Sequence, residues 1–153
     1  MRARFVGLLA LALLGAACSG GNAGPASGST KSPDPVHALI SELGSRGVSV
    51  QDKESASEPF FSAPGRLLLL NGQEVRVFGF ASEGEATAVA KAVSPDGYSV
   101  GASGGLTTVT QVDWVAKPHF YRSGSLIILY VGDDAAIRQL LSAAVGPPFA
   151  GGA

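Results

Sequence analysis

Cysteine is all but missing from this chain: Cys18 is the only one among 153 residues. No intramolecular disulfide can form, so stability has to come from a packed core. Histidine is nearly as scarce, with His37 and His119 far apart in the sequence. Two isolated imidazoles without a further thiol give no metal-ligand spacing. Lysine and arginine never cluster, and 11 basic residues face 12 acidic ones. That balance leaves no electrostatic footprint for nucleic acid or for an anionic lipid surface. No apolar run reaches the ~20 residues that a membrane-spanning helix requires. Repeats at solenoid or propeller periods are also missing.

What is present begins at the N-terminus. Met1-Arg2-Ala3-Arg4 is basic, Phe5 to Leu14 is apolar apart from Gly7, and Gly15-Ala16-Ala17 are small. Basic, apolar and small segments in that order make up a secretory signal. With Cys18 directly behind them, residues 1–17 resemble a bacterial lipoprotein signal peptide. The resemblance implies a diacylglycerol on the Cys18 thiol, cleavage before it, and acylation of the new N-terminus. Where that family usually has leucine three residues before the cysteine, this chain has Gly15, with Leu14 one step further out. An ordinary secreted product cut after Ala17 is the alternative, because Gly15 and Ala17 also suit that cleavage rule. Two acyl chains hold a protein at a bilayer, whereas one binds only marginally. The expected partner of Cys18 is therefore membrane lipid. The expected location is the outer face of the cell membrane, or the periplasmic face of an envelope membrane.

Within 18–33, the residues after Cys18 carry no side chain larger than Lys31 and no apolar one beyond alanine and proline. Such a Gly/Ser/Ala stretch cannot nucleate a core and reads as a flexible tether. Residues 34–149 suffice for one domain, and 150–153 are expected to be a disordered tail. In the domain, Asp34 can cap a helix that has Pro35 in its first turn and Val36, Leu39, Ile40 and Leu43 on one face. Val48 to Asp52 follows as a short strand. Arg66 to Leu70, Asn71-Gly72 and Gln73 to Phe78 spell a hairpin, since Asn-Gly supplies the positive backbone angles of a two-residue turn. Ser82-Glu83-Gly84-Glu85 has capping-box spacing and opens a helix ending near Val93, before the Ser94-Pro95-Asp96-Gly97 turn. Thr107 to Val115 and Ser125 to Val131 read as strands. Asp133 or Asp134 then caps a last helix with Ile137, Leu140, Leu141, Ala144 and Val145 in one stripe.

The order α-β-β-β-α-β-β-α predicts a single α+β domain, with three helices packed on a mainly antiparallel sheet of about five strands. Leu67 to Leu70 and Leu126 to Val131 lack the alternation of a strand with one wet face. Something must cover their second face. The choices are the chain's own helices, a partner, or a second copy in a homodimer, and the three helices favour cover from within.

Catalytic patterns are weak. Gly101-Ala102-Ser103-Gly104-Gly105 matches G-x-S-x-G, but the β-branched Thr107-Thr108-Val109-Thr110 follows where the nucleophile elbow needs a helix. The same glycines lack the Lys-Ser/Thr of a phosphate loop. Asp133-Asp134, Glu83 and Glu85 suit helix starts better than a catalytic or cation site. No cofactor or metal is implied. The most distinctive chemistry lies in Trp114-Val115-Ala116-Lys117-Pro118-His119-Phe120-Tyr121, with Glu58-Pro59-Phe60-Phe61 as a second aromatic loop. Aromatic rings carry large contact area at low entropic cost. Phe60, Phe61, Trp114, His119, Phe120 and Tyr121 form the candidate interaction surface, and plugs for the ends of a small core are the competing role.

Val75-Arg76-Val77-Phe78, Ser94-Pro95-Asp96-Gly97, Trp114, Pro118-His119-Phe120-Tyr121, Leu129-Tyr130-Val131-Gly132 and Gly146-Pro147-Pro148-Phe149-Ala150-Gly151 together resemble a group of small uncharacterised bacterial lipoproteins. The resemblance implies no activity and no catalytic residue. The expected function is thus a non-enzymatic, membrane-anchored binding module for an envelope protein or a small ligand, without nucleic acid. The alternative is a small extracytoplasmic enzyme centred on His119, with Asp113 or Ser123 as its neighbour.

Overall fold

The computed structural model describes residues 34–101 and 109–152. The signal peptide, Cys18, the tether and the serine of the G-x-S-x-G match lie outside the described residues. Helix α1 (Pro35–Ser45) starts where the Asp34 side chain accepts the Val36 amide at 3.0 Å. It buries Val36, Leu39 and Leu43. Strands β1 (Val50–Ala56), β2 (Gly65–Leu70) and β3 (Gln73–Gly79) follow, then helix α2 (Glu83–Ala92). Between β2 and β3, Asn71 and Gly72 take φ of 49° and 86°, the left-handed pair that closes a two-residue hairpin. Ser82 accepts the Glu85 amide at 3.1 Å, and the Glu85 carboxylate accepts the Ala81 amide in return. Both expected caps therefore form, with the reciprocal bond displaced by one residue from the usual box.

The short strands β4 (Ser99–Gly101) and β5 (Val109–Gln111) pair with each other. Then come β6 (Pro118–Ser123), β7 (Leu126–Val131), helix α3 (Ala135–Val145) and β8 (Ala150–Gly151). Asp134, not Asp133, caps α3 by accepting the amides of Ala136 and Ile137. The main sheet has the order β1-β2-β3-β7-β6-β8, and every pairing in it is antiparallel. The α+β class is as expected, but the sheet has six strands.

Two expectations give way here. The aromatic segment from Pro118 is not a loop but strand β6, paired with β7 along its whole length. Proline fits at its first position, where a missing N–H costs little. The tail is not disordered at Ala150 and Gly151, which pair with Phe120 and His119 as β8. Glycine makes that pairing feasible: Gly151 has φ +74°, and a Cβ there would overlap the Pro118 carbonyl oxygen.

The register sorts side chains between two cores. On one face lie Leu68, Val75, Tyr130 and His119 in a row across four strands. Helices α1 and α3 cover this side, with Leu39, Leu43, Ile137 and Leu141. On the other face, Leu67, Arg76, Leu129, Phe120 and Ala150 form the corresponding row. Helix α2 covers part of it with Ala86 and Val89, helped by Phe60 and Phe61. Strand β7 is buried from Leu126 to Tyr130, so the chain itself supplies its second cover. Strand β2 differs: Leu68 and Leu70 are buried, while Leu67 and Leu69 remain half-buried.

Candidate functional site

Five of the six residues proposed as an interaction surface are interior. Phe60 and Phe61 are each 8% exposed, His119 is 1%, and Phe120 and Tyr121 are fully buried. Phe61 stands at the centre of the α2-side core. Its ring meets Phe60 at 4.7 Å, Phe78 at 4.8 Å and Phe80 at 6.0 Å, all edge-on. Such T-shaped contacts set the positive ring edge against the negative face and favour a fixed packing. Phe120 and Tyr121, adjacent in β6, point to opposite faces and serve the two cores separately. As a surface, these five are corrected to core.

His119 is held in place by its surroundings. Its Nε2–H donates to the Gly132 carbonyl at 3.0 Å, and its ring stacks on Tyr130 with centroids 5.8 Å apart. Burial pushes its pKa below the usual histidine value, with the Gly132 bond opposing the shift. Gly152 packs against its Nδ1 side so closely that a Cβ would overlap the ring. Burial likewise pushes the Tyr121 hydroxyl up, moderated by Ser142 and Arg138. Neither expected neighbour joins His119 in a catalytic arrangement. Ser123 pairs with Leu126 at the far end of the strand, while His119 pairs with Tyr130. Asp113 is exposed and lines a groove on the opposite sheet face.

Trp114 is the residue of the set that does reach a surface. Its indole donates to the Gly97 carbonyl at 2.9 Å, and its ring stands edge-on to Phe60 and Phe120, each 6.0 Å away. Gly97 is buried with φ +79°, at the end of the turn in which its amide donates to Ser94. That turn is tightened by Asp96, whose carboxyl is held below the usual range by the Ser94 hydroxyl and the Tyr98 amide. The 112–116 segment is thereby pinned over the sheet edge-to-face, and Val115 next to Trp114 is 99% exposed.

Beside this segment lies a groove of about 310 Å³, lined by Trp114, Val115, Leu129, Val131, Glu74 and the Arg76–Glu58 ion pair, with Val112 and Asp113 completing the lining. Glu74 also borders a second, more open hollow floored by Leu67 and Leu69 and rimmed by Asp52, Lys53 and Glu54. Leu67 pairs with Arg76, which pairs with Leu129, and Leu69 pairs with Glu74. Directly paired residues share a face. The two hollows meet at Glu74 and together outline a shallow trough on the α2 side, from β7 over β3 and β2 to Lys53 and Glu54 of β1. Its apolar floor was visible in the unbroken leucines of 67–70, but the ion pair and Val115 carried no local signal. Among the described residues, no three His, Cys, Asp or Glu side chains gather to hold a metal. No described helix is long and apolar enough to cross a membrane.

No protein-family model, curated protein or solved structure matches this chain.

Proposed function

We propose that the protein is a membrane-anchored extracytoplasmic lipoprotein acting as a binding module, with the trough between Trp114 and β1 as its recognition surface. The anchor reading rests on the order of basic, apolar and small residues ahead of Cys18. Residues 19–33 would give the domain a reach of up to ~50 Å from the bilayer. The observation that carries the binding reading is the uneven cover of the sheet. Most apolar side chains of the main sheet are buried, yet Leu67 and Leu69 stay half-buried, and Val115, lining the adjoining groove, is 99% exposed. Contiguous apolar surface with a polar rim is how recognition sites differ from ordinary protein surface. Specificity comes from Glu74 and the Arg76–Glu58 pair set into that floor, since polar groups fixed in an apolar site reject ligands that leave them unmatched.

The test places a photo-crosslinking amino acid at Val115 in the full chain expressed in its membrane. A control chain carries it at Ala143, which is exposed on α3 at the other face. Adducts specific to position 115 are expected. Identical patterns at both positions, or none at either, would remove the trough as the recognition surface. A Cys18→Ala chain is expected to leave the membrane fraction, and one that stays would remove the lipid anchor.

A further inference from the structure

We infer that the occupant of the trough is an extended, cationic peptide segment that also carries apolar side chains; this rests on the trough being the recognition surface. The apolar floor makes the site, and the charges around it set the sign of what binds. Glu58 is neutralised by Arg76, and Asp52 by Arg66 at 3.1 Å. Glu54, Glu74 and Asp113 are exposed, and their carboxylates make neither a hydrogen bond nor an ion pair among the described residues. Against these three acids, Lys53 is the only cation outside an ion pair among the described lining residues. The rim is therefore electronegative over an apolar base, and complementary charge is what steers and selects a partner there.

Shape narrows the class further. The trough crosses four neighbouring strands, which is about 14 Å at the usual strand spacing. An extended chain of roughly four residues spans that length. Small-molecule sites are concave and bury most of their ligand, whereas this trough is open along its length. Strands β2, β3 and β7 below it have their backbone groups already paired, so contact there is through side chains. Alternate residues of an extended segment can set apolar groups on Leu67, Leu69 and Leu129 and basic groups beside Glu74 and Asp113. A second copy of this chain fits poorly, because self-docking would bring the Glu74 and Asp113 rims together. Anionic lipid headgroups meet the same repulsion.

Trp114 is the only tryptophan in the chain and lines the trough, so its fluorescence reports occupancy directly. The lipidated full chain in neutral detergent would be titrated with three synthetic pentapeptides: Lys-Leu-Lys-Leu-Lys, its glutamine counterpart and its glutamate counterpart. The lysine peptide is expected to shift Trp114 emission saturably, with affinity that falls as salt is raised. Glu74→Lys with Asp113→Lys, both at exposed positions, should weaken it roughly tenfold at low salt. Equal or tighter binding of the glutamine or glutamate peptide would overturn the cationic assignment. An unchanged affinity in the double variant would overturn it as well, as would the absence of any saturable response to the lysine peptide. Position-115 crosslinks that persist through such a failure would leave the recognition surface standing and discard only the ligand class. Loss of both removes the two together.

Discussion

Replacing Phe61 by alanine separates a core role from a recognition role for the aromatic segments. Its ring is 8% exposed and touches Phe60, Phe78 and Phe80, with Phe120 at 6.5 Å. Returning most of a phenylalanine side chain to solvent forfeits about 2–3 kcal/mol of transfer free energy. Its neighbours Phe78 and Phe120 are rings set by strands β3 and β6, so they cannot close the gap freely. A residual cavity of roughly 50 Å³ at about 24 cal/mol per Å³ adds ~1 kcal/mol. The expected loss is thus about 4 kcal/mol, a large share of the stability of a domain this size.

Urea unfolding followed by circular dichroism measures it. With a slope of about 1–2 kcal/mol per molar urea, the midpoint should fall by roughly 2 M or more. Phe61→Leu keeps most of the apolar volume and should lose distinctly less. A surface aromatic would behave otherwise, since exposed substitutions usually stay within about 0.5 kcal/mol of the wild type. A loss below ~1 kcal/mol for Phe61→Ala, or no difference between the two variants, would refute the assignment of Phe60 and Phe61 to the core.

Two further outcomes follow from the C-terminal strand and from His119. Gly151→Ala places a Cβ on a residue at φ +74° and against the Pro118 carbonyl, so unfolding should come at least ~1 kcal/mol sooner; wild-type stability would mean that β8 is not held against β6. Burial is the first cause of the lowered His119 pKa, with Arg138 and Lys117 adding to it. The unfolded chain therefore binds this proton at higher pH than the folded one. Its contribution is intact above the ordinary value of 6.5 and is lost as pH falls from there toward the folded value. Thermal midpoints at about pH 7.5 and about pH 5.5 should accordingly differ more for the wild type than for His119→Gln. An equal drop in both would assign the acid sensitivity to other groups.

Much of the fold was legible because its signals are local. Asp34, Ser82 and Asp134 cap helices through amides two or three residues away, and Asn71-Gly72 closes a hairpin by its own backbone angles. Strand β6 was not legible in the same way. Its aromatic residues are buried on both faces because α3 packs on one side and Phe61 and Trp114 on the other, contacts that come from distant parts of the chain. A trace existed in Ser123-Gly124-Ser125, since Gly124 at φ +55° sits in the turn that returns β6 into β7. Rings with polar tips suit a core and a recognition surface equally well. Neighbours decide between the two, and here Gly132, Tyr130 and the α3 helix decided for the core.

The same reasoning explains why the trough is where it is. Six strands about 4.8 Å apart make a sheet roughly 24 Å wide, while a helix with its side chains is about 10–12 Å across. Helices α1 and α3, packed side by side, can enclose one face, and Leu68, Leu70, Val75 and Val77 are buried beneath them. The other face receives α2, whose main contacts are with β7, β6 and β4. The Phe60–Phe61 segment and Trp114 extend the cover to β7, while Leu67 and Leu69 of β2 stay half-buried. The unbroken leucines at 67–70 thus announced a need for cover on both faces that the three helices meet on one. Adding a polar residue at Leu69 should cost little stability compared with one at Leu68, because only the latter lies under a helix.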